Sequence, residues 1–200
     1  MSSDYATPTL AYYAEHAEDF ASSTVDVDFH ATQDRFTSLL SPRSSILDFG
    51  CGSGRDAKRF LDEGFLVTAI DGSPELCAIA SELAGIPVRN ELFQELEDVD
   101  AYDGIWACSS ILHLPKDELA DVFARMVRAL RPHGIVYTSF KHGTFMGTRN
   151  GRYFTGFTEP TFRSFLDGIP QLEIKDLGIS GDVRPGREDE RWLNLILRKT

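Results

Sequence analysis

The stretch Ile46 to Phe60, ILDFGCGSGRDAKRF, runs from an apolar strand-like segment through Asp48 and a glycine-rich turn into an amphipathic helix start. Glycines at such a turn let the backbone approach a ligand closely. The dinucleotide fingerprint needs glycine at its first, third and sixth positions. Here Gly50 and Gly52 keep the first two, Gly54 falls at the fifth, and Arg55 takes the sixth. A phosphate-binding loop of the Gly-Lys-Ser/Thr kind is also absent. Asp48, at the strand end, disfavours a pyrophosphate and suits a cation. Asp71 ends the next apolar run, about 20 residues on, where an acid can accept hydrogen bonds from both ribose hydroxyls. NAD enzymes share that last feature, so alone it does not choose. Together with Asp48 and the turn, it points to S-adenosylmethionine, which carries an ammonium and a sulfonium and no phosphate, with Asp48 helping to hold the amino-acid end.

These residues need a scaffold. Thr9–Ser22 and Phe29–Leu40 read as two helices from the three- and four-residue spacing of their apolar positions. Strands and helices then alternate. Ile46–Phe49 and Phe65–Ile70 read as strands flanking a helix, Arg55–Glu63, stopped by Gly64. Ser73 caps a further helix that has Pro74 at its first position and ends by Gly85. A short strand around Val88, a buried strand over Asp103–Ser109, a helix over Lys116–Leu130 and a strand over Gly134–Phe140 follow. Alternation of this kind predicts an α/β fold with a mostly parallel sheet and helices on both faces. Residues 141–160 are rich in glycine and aromatics with weak periodicity, and read as an irregular lid loop. A helix over Thr158–Leu166 and strands over Leu172–Ile179 and Trp192–Lys199 complete the chain, the two strands as an antiparallel hairpin at the sheet edge. The expectation is one domain over 1–200: a helical cap (1–44), a cofactor-binding core (45–140), the lid (141–160), and a C-terminal helix and hairpin (161–200).

The totals fit that size. The 200 residues carry a net charge of -11. An acidic surface disfavours wrapping a phosphate backbone, so nucleic acid is not the expected partner. Cys51, Cys77 and Cys108 lie far apart, without metal spacing, and read as small thiols in a reducing compartment. The segment MSSDYATPTLAYYAEH lacks a basic region followed by an apolar run, and no stretch reaches the length of a membrane span. A cytoplasmic protein with no metal and no membrane partner is expected; its oligomeric state is left open.

Four segments in this order, ILDFGCGSGRDAKRF, VTAIDGSPELCAIA, YDGIWACSSILHLP and LRPHGIVYTSF, resemble the class I S-adenosylmethionine-dependent methyltransferases, and in particular small bacterial members of tellurite-resistance-like type. The resemblance covers Ser45 to Phe140 by sequence and the last two strands by topology. It implies a Rossmann-like, seven-stranded sheet in the order 3-2-1-4-5-7-6 with the last strand antiparallel. It places Gly50, Cys51, Gly52, Gly54 and Arg55 at the methionine part of the cofactor, and Asp71, Gly72 and Ser73 at the ribose. Leu92 or Phe93 stands where an acid commonly reads adenine; a backbone amide could replace that contact, and the residue that reads the adenine amino group is left open. Cys108, Ser109 and Ser110 would lie under the cofactor and His113 near the acceptor. The product would be S-adenosylhomocysteine and the acceptor a small molecule.

Each acceptor-side candidate has a plainer role beside the functional one. His113 is a general base or a structural histidine. Tyr12, a candidate for the cofactor side, and Tyr13, for the acceptor side, are core contacts of the first helix or line the site, where ring faces attract the sulfonium. Arg152, Tyr153 and Phe154 form an ordinary turn or touch the acceptor. Arg184 and Arg187 sit in a solvated charged loop or bind an anionic acceptor. Two rival functions belong to other classes: a non-catalytic S-adenosylmethionine-binding sensor or partner subunit, and a nucleotide-binding oxidoreductase.

Overall fold

A computed structural model describes residues 6–184, 186–187 and 189–200. Residues 1–5 of the expected cap, and Pro185 and Glu188 of the last loop, lie outside the described residues. The chain opens with three short helices, α1 (Ala6–Glu15), α2 (Ala17–Thr24) and α3 (His30–Thr37). The single helix expected over Thr9–Ser22 is thus two. His16 interrupts it: its ring stacks on Tyr12 at 4.4 Å and its Nδ1 donates to the Tyr12 carbonyl at 2.8 Å.

Then come β1 (Ser45–Phe49), α4 (Arg55–Asp62), β2 (Leu66–Asp71), α5 (Pro74–Ala84), β3 (Val88–Asn90), β4 (Tyr102–Ala107), α6 (Lys116–Ala129) and β5 (Leu130–Lys141). Ser73 caps α5 by accepting from the Leu76 amide at 3.3 Å, with Pro74 at the first turn. The next segment departs from the expected irregular loop. It forms a small antiparallel hairpin, β6 (Met146–Arg149) and β7 (Arg152–Thr155), turning at Asn150 and Gly151. Glycines at 143, 147 and 151, all with positive φ, conceal its strand alternation in the sequence. Last are α7 (Glu159–Leu166), β8 (Leu172–Gly181) and β9 (Arg191–Lys199).

Seven strands form one sheet in the order β3-β2-β1-β4-β5-β9-β8. With the hairpin strands left out of the count, this is the expected order 3-2-1-4-5-7-6. β9 runs antiparallel to both of its neighbours, β5 and β8. Strand alternation sends Leu47, Phe49, Ile105 and Ala107 to the face covered by α6 and α7, and Ile46 and Trp106 to the face covered by α3 and α4. Each face is buried by large apolar side chains, so the carboxyl ends of β1, β2, β4 and β5 stand on a packed platform. The loops at that edge carry the site.

Candidate active site

The glycine turn is fixed to the neighbouring strand. The amides of Gly50 and Cys51 both donate to the Ile70 carbonyl, at 3.0 and 2.9 Å. Asp71 fixes it further: one carboxylate oxygen accepts from the Gly52 amide and the other from the Ser73 amide, each at 2.9 Å. Both oxygens keep acceptor capacity, and Asp71 lines a cavity of about 1150 Å³. Burial pushes its pKa up, against the backbone amides that favour the charged form. Gly50 and Gly52 have φ of +85° and +55°. A Cβ at Gly50 would fall 2.5 Å from that of Ser110, and one at Gly52 would fall 3.0 Å from the Phe20 ring. Gly72 is overlain by Leu10, 2.8 Å from where its Cβ would be, with Leu92 beyond at 3.3 Å. Thus α1 and α2 roof the cleft.

Most sequence candidates meet on this cavity wall: Gly50, Cys51, Gly52, Arg55, Asp71 and Gly72 at one end, with Leu92, Phe93, Cys108 and Ser109 beside them. Ser110, the last of the three residues expected after β4, also lines the wall, donates to the Phe49 carbonyl at 2.6 Å and packs under Gly50. Phe20 over Gly52 is a wall residue that the sequence reading does not assign to the site. Its aromatic spacing on the first helix was the available signal.

Several expectations are corrected. Asp48 does not reach the cavity. It shares the Ile46 face of β1, turns behind the glycine turn toward the Ala57 amide, and is 2% exposed with Oδ2 unpartnered. Burial, then the nearby Asp56, pushes its pKa well up. Gly54 packs on Ala80 and caps α4, and Ser73 is spent as the α5 cap; neither lines the wall. The Leu92 amide is taken by the Glu95 carboxylate at 2.8 Å, so it is not the replacement adenine contact. Arg55 lines the wall, yet its guanidinium forks onto Asp56 at 2.8 and 2.9 Å.

Asp48 yields a prediction by sign. A carboxyl whose folded pKa is raised stabilises most below the ordinary aspartate value, about 3.9, and loses that contribution as pH rises toward the folded value. Asp48→Asn removes the titration. Its melting temperature should fall less than the wild type's as pH rises from about 4, the ordinary aspartate value, toward neutrality. Parallel slopes in thermal unfolding would show that Asp48 is charged at no cost.

The acceptor end of the cavity is built by α1, β7 and the turn after β4. His113 is buried, and its Nδ1 meets the Tyr153 carbonyl at 2.6 Å while its Nε2 meets the Tyr13 hydroxyl at 2.9 Å. A carbonyl only accepts, so Nδ1 carries the proton and Nε2 accepts from Tyr13. Burial lowers the His113 pKa to about 4. The ring is therefore neutral, and its basic nitrogen is covered by Tyr13. Tyr153, expected on the acceptor side, does not line the wall; its amide donates to Thr9 Oγ1 at 3.1 Å and its carbonyl holds His113. Tyr12 lies behind the wall, under Arg152, whose guanidinium stands 4.3 Å from its ring centroid. Tyr13, Arg152 and Phe154 do line it.

Arg184 and Arg187 also reach the wall, but as paired charges. Arg184 forks onto Asp182 at 2.6 and 2.9 Å, and Arg187 faces Glu190 at 3.6 Å. Although burial opposes its charge, Asp182 is held well below the usual carboxylate range by Arg184 and Trp192. The Cys77 and Cys108 thiols are pushed up to about 11 and 12 by burial, so neither is a nucleophile at neutral pH. Among the described residues no cluster of three or more His, Cys, Asp or Glu could hold a metal, and no helix is long and apolar enough to cross a membrane.

Residues 46–134 match the methyltransferase domain family. A putative methyltransferase of Bacillus subtilis, YqeM, is 31% identical over 138 residues, covering 61% of this chain and 56% of the relative. The chain spans about half the length of the curated relatives it matches, 56% and 40% for two of them. The structure of Burkholderia thailandensis 1,6-didemethyltoxoflavin-N1-methyltransferase, with bound 1,6-didemethyltoxoflavin and S-adenosylhomocysteine, superposes with a TM-score of 0.81 at 23% identity, covering 98% of this chain and 88% of that one. TehB from Haemophilus influenzae does so with 0.72 at 16% identity, covering 92% and 67%. At these identities the structural likeness is one of fold.

Proposed function

We propose that this protein is an S-adenosylmethionine-dependent methyltransferase acting on a small-molecule acceptor in the cytoplasm. The observation that carries the reading is Asp71: a carboxylate on the cavity wall that already holds the glycine turn and keeps acceptor capacity for two ribose hydroxyls. Gly50 and Gly52 supply the close backbone approach, since a Cβ on either would meet Ser110 or Phe20. The cavity, at about 1150 Å³, exceeds the 300–1,000 Å³ or so usual for one ligand and suits a cofactor with an acceptor beside it.

When bound, S-adenosylmethionine supplies a methyl group whose bonding pair stays with sulfur while the acceptor's lone pair forms the new bond. The chain's own work is alignment and exclusion of water. Tyr13 links the two ends: it packs edge-on to Phe20 at 5.2 Å, and Phe20 covers Gly52. Its hydroxyl can receive a proton released by the acceptor while passing its own to His113 Nε2. With so low a pKa, His113 is a sink only for an acceptor that is acidic already or becomes acidic on methylation.

Calorimetric titration with S-adenosylhomocysteine, with NADH as control, tests the reading. Micromolar binding of the first and none of the second is expected, and binding of NADH alone would sink it. Tyr13→Phe and His113→Ala should each keep S-adenosylhomocysteine affinity and lower transfer from labelled S-adenosylmethionine into a metabolite extract by about 10²-fold. The double variant should fall no further, because the two act as one unit. Unchanged turnover would make the pair structural.

A further inference from the structure

We infer that the acceptor is an organic anion whose negative group docks on Arg152, against the aromatic faces of α1 and β7. The inference rests on the methyltransferase reading and deepens it. Its basis is the charge balance of the acceptor wall. Lys141 is answered by Glu190 and Asp182, Arg184 by Asp182, and Arg187 by Glu190. Arg152 lines the same wall with no acidic partner among the described residues, and its Nε is buried without a hydrogen-bond partner. In a chain of net charge -11, a guanidinium on this cavity wall with no acidic partner among the described residues is a specific feature.

The surroundings make it a receptor. Ring centroids of Tyr12, Phe154 and Tyr13 stand 4.3, 5.3 and 5.8 Å from the guanidinium carbon. Stacking of that kind restrains the group while its in-plane N–H donors remain suited to a carboxylate or enolate fork. Arg149, 4.6 Å over Phe145 and also without an acidic partner among the described residues, adds positive potential at the same wall. The position is right for the reaction, because Tyr13 bridges Arg152 to His113. An acceptor that arrives as an anion also asks little of a buried, weakly basic histidine.

Arg152 also ties the hairpin to α1, so its removal could act through structure. The experiment separates the two. The full chain, saturated with S-adenosylhomocysteine, is titrated with matched pairs: benzoate and benzamide, 4-hydroxybenzoate and 4-hydroxybenzamide, salicylate and salicylamide. The carboxylates should bind at least tenfold tighter than their amides. Arg152→Gln should abolish that preference with S-adenosylhomocysteine affinity intact, Arg152→Lys should restore part of it, and the surface variant Arg163→Gln should change nothing. Equal binding within the pairs, no carboxylate binding, or a preference that survives in Arg152→Gln would overturn the inference. Failure of the wild type to bind S-adenosylhomocysteine would overturn the cofactor reading itself, and this inference with it.

Discussion

Asp56→Ala should lower the stability of the folded chain by about 3–5 kcal/mol, the usual cost of leaving one partner of a buried ion pair alone. Asp56 is 7% exposed and gathers donors from three elements. Arg55 forks onto it at 2.8 and 2.9 Å, Trp106 Nε1 donates at 2.8 Å from β4, and Gln33 Nε2 donates at 2.5 Å from α3. Alanine leaves a buried indole N–H, a buried amide and a guanidinium without an acceptor. Relief of the repulsion on Asp48 offsets a small part. Against a total of about 5–15 kcal/mol for a domain, the loss is a large fraction. Urea unfolding should show a much lower midpoint with the slope unchanged. Asp62→Ala, which breaks an exposed pair with Lys58, should cost less than about 1 kcal/mol. An Asp56→Ala midpoint no lower than that of Asp62→Ala would show that the Trp106 and Gln33 contacts are made to no energetic effect. The consequence reaches function, because Arg55 also donates to the Thr24 carbonyl at 3.3 Å, and α2 carries Phe20 over the glycine turn.

That hub marks the boundary of what could be read in the sequence. The alternation of strands and helices, the strand-end position of Asp71 and the cap at Ser73 follow from local rules: periodicity, glycine spacing, and Ser-Pro-Glu at a helix start; the sheet order follows only from the family resemblance. Asp56 sits one residue into a helix beside an arginine, and nothing local says that Gln33 and Trp106, 23 and 50 residues away, converge on it. Asp48 misled for a related reason. Its place in the motif was legible, but which face its side chain takes depends on the pleat of β1, which puts it with Ile46 and away from the cavity. The hairpin β6–β7 was hidden because glycines interrupt its alternation. With it were hidden the Tyr153 carbonyl that fixes the His113 tautomer and the ring contacts of Arg152. The acceptor end is made by pairing residues of α1 with residues about 100 to 140 positions later, as in Tyr13 with His113 and Thr9 with Tyr153. Periodicity carries no information at that range.

Asp71→Ala should weaken S-adenosylhomocysteine binding by about 1–3 kcal/mol, up to about 100-fold, with the fold retained. Two effects combine. The ligand hydroxyls lose a charged acceptor, and the Gly52 and Ser73 amides lose the carboxylate that positions the turn. Asp71→Asn separates them. Its side-chain oxygen can still accept one backbone amide, but the second position becomes a donor facing a donor, so the turn is half held and one ligand hydrogen bond is lost. It should fall between alanine and wild type. The raised pKa of Asp71 adds a pH test with a definite sign. Protonation removes acceptor capacity, so affinity should be constant in neutral and alkaline solution and decline on acidification, beginning above the ordinary aspartate value of about 3.9. The alanine variant has nothing to titrate at this position, and its affinity should show no such decline. Equal affinities for wild type and Asp71→Ala at neutral pH would place the ribose elsewhere and leave Asp71 with only its role in holding the turn. A wild-type decline that persists unchanged in the variant would assign the titration to another group.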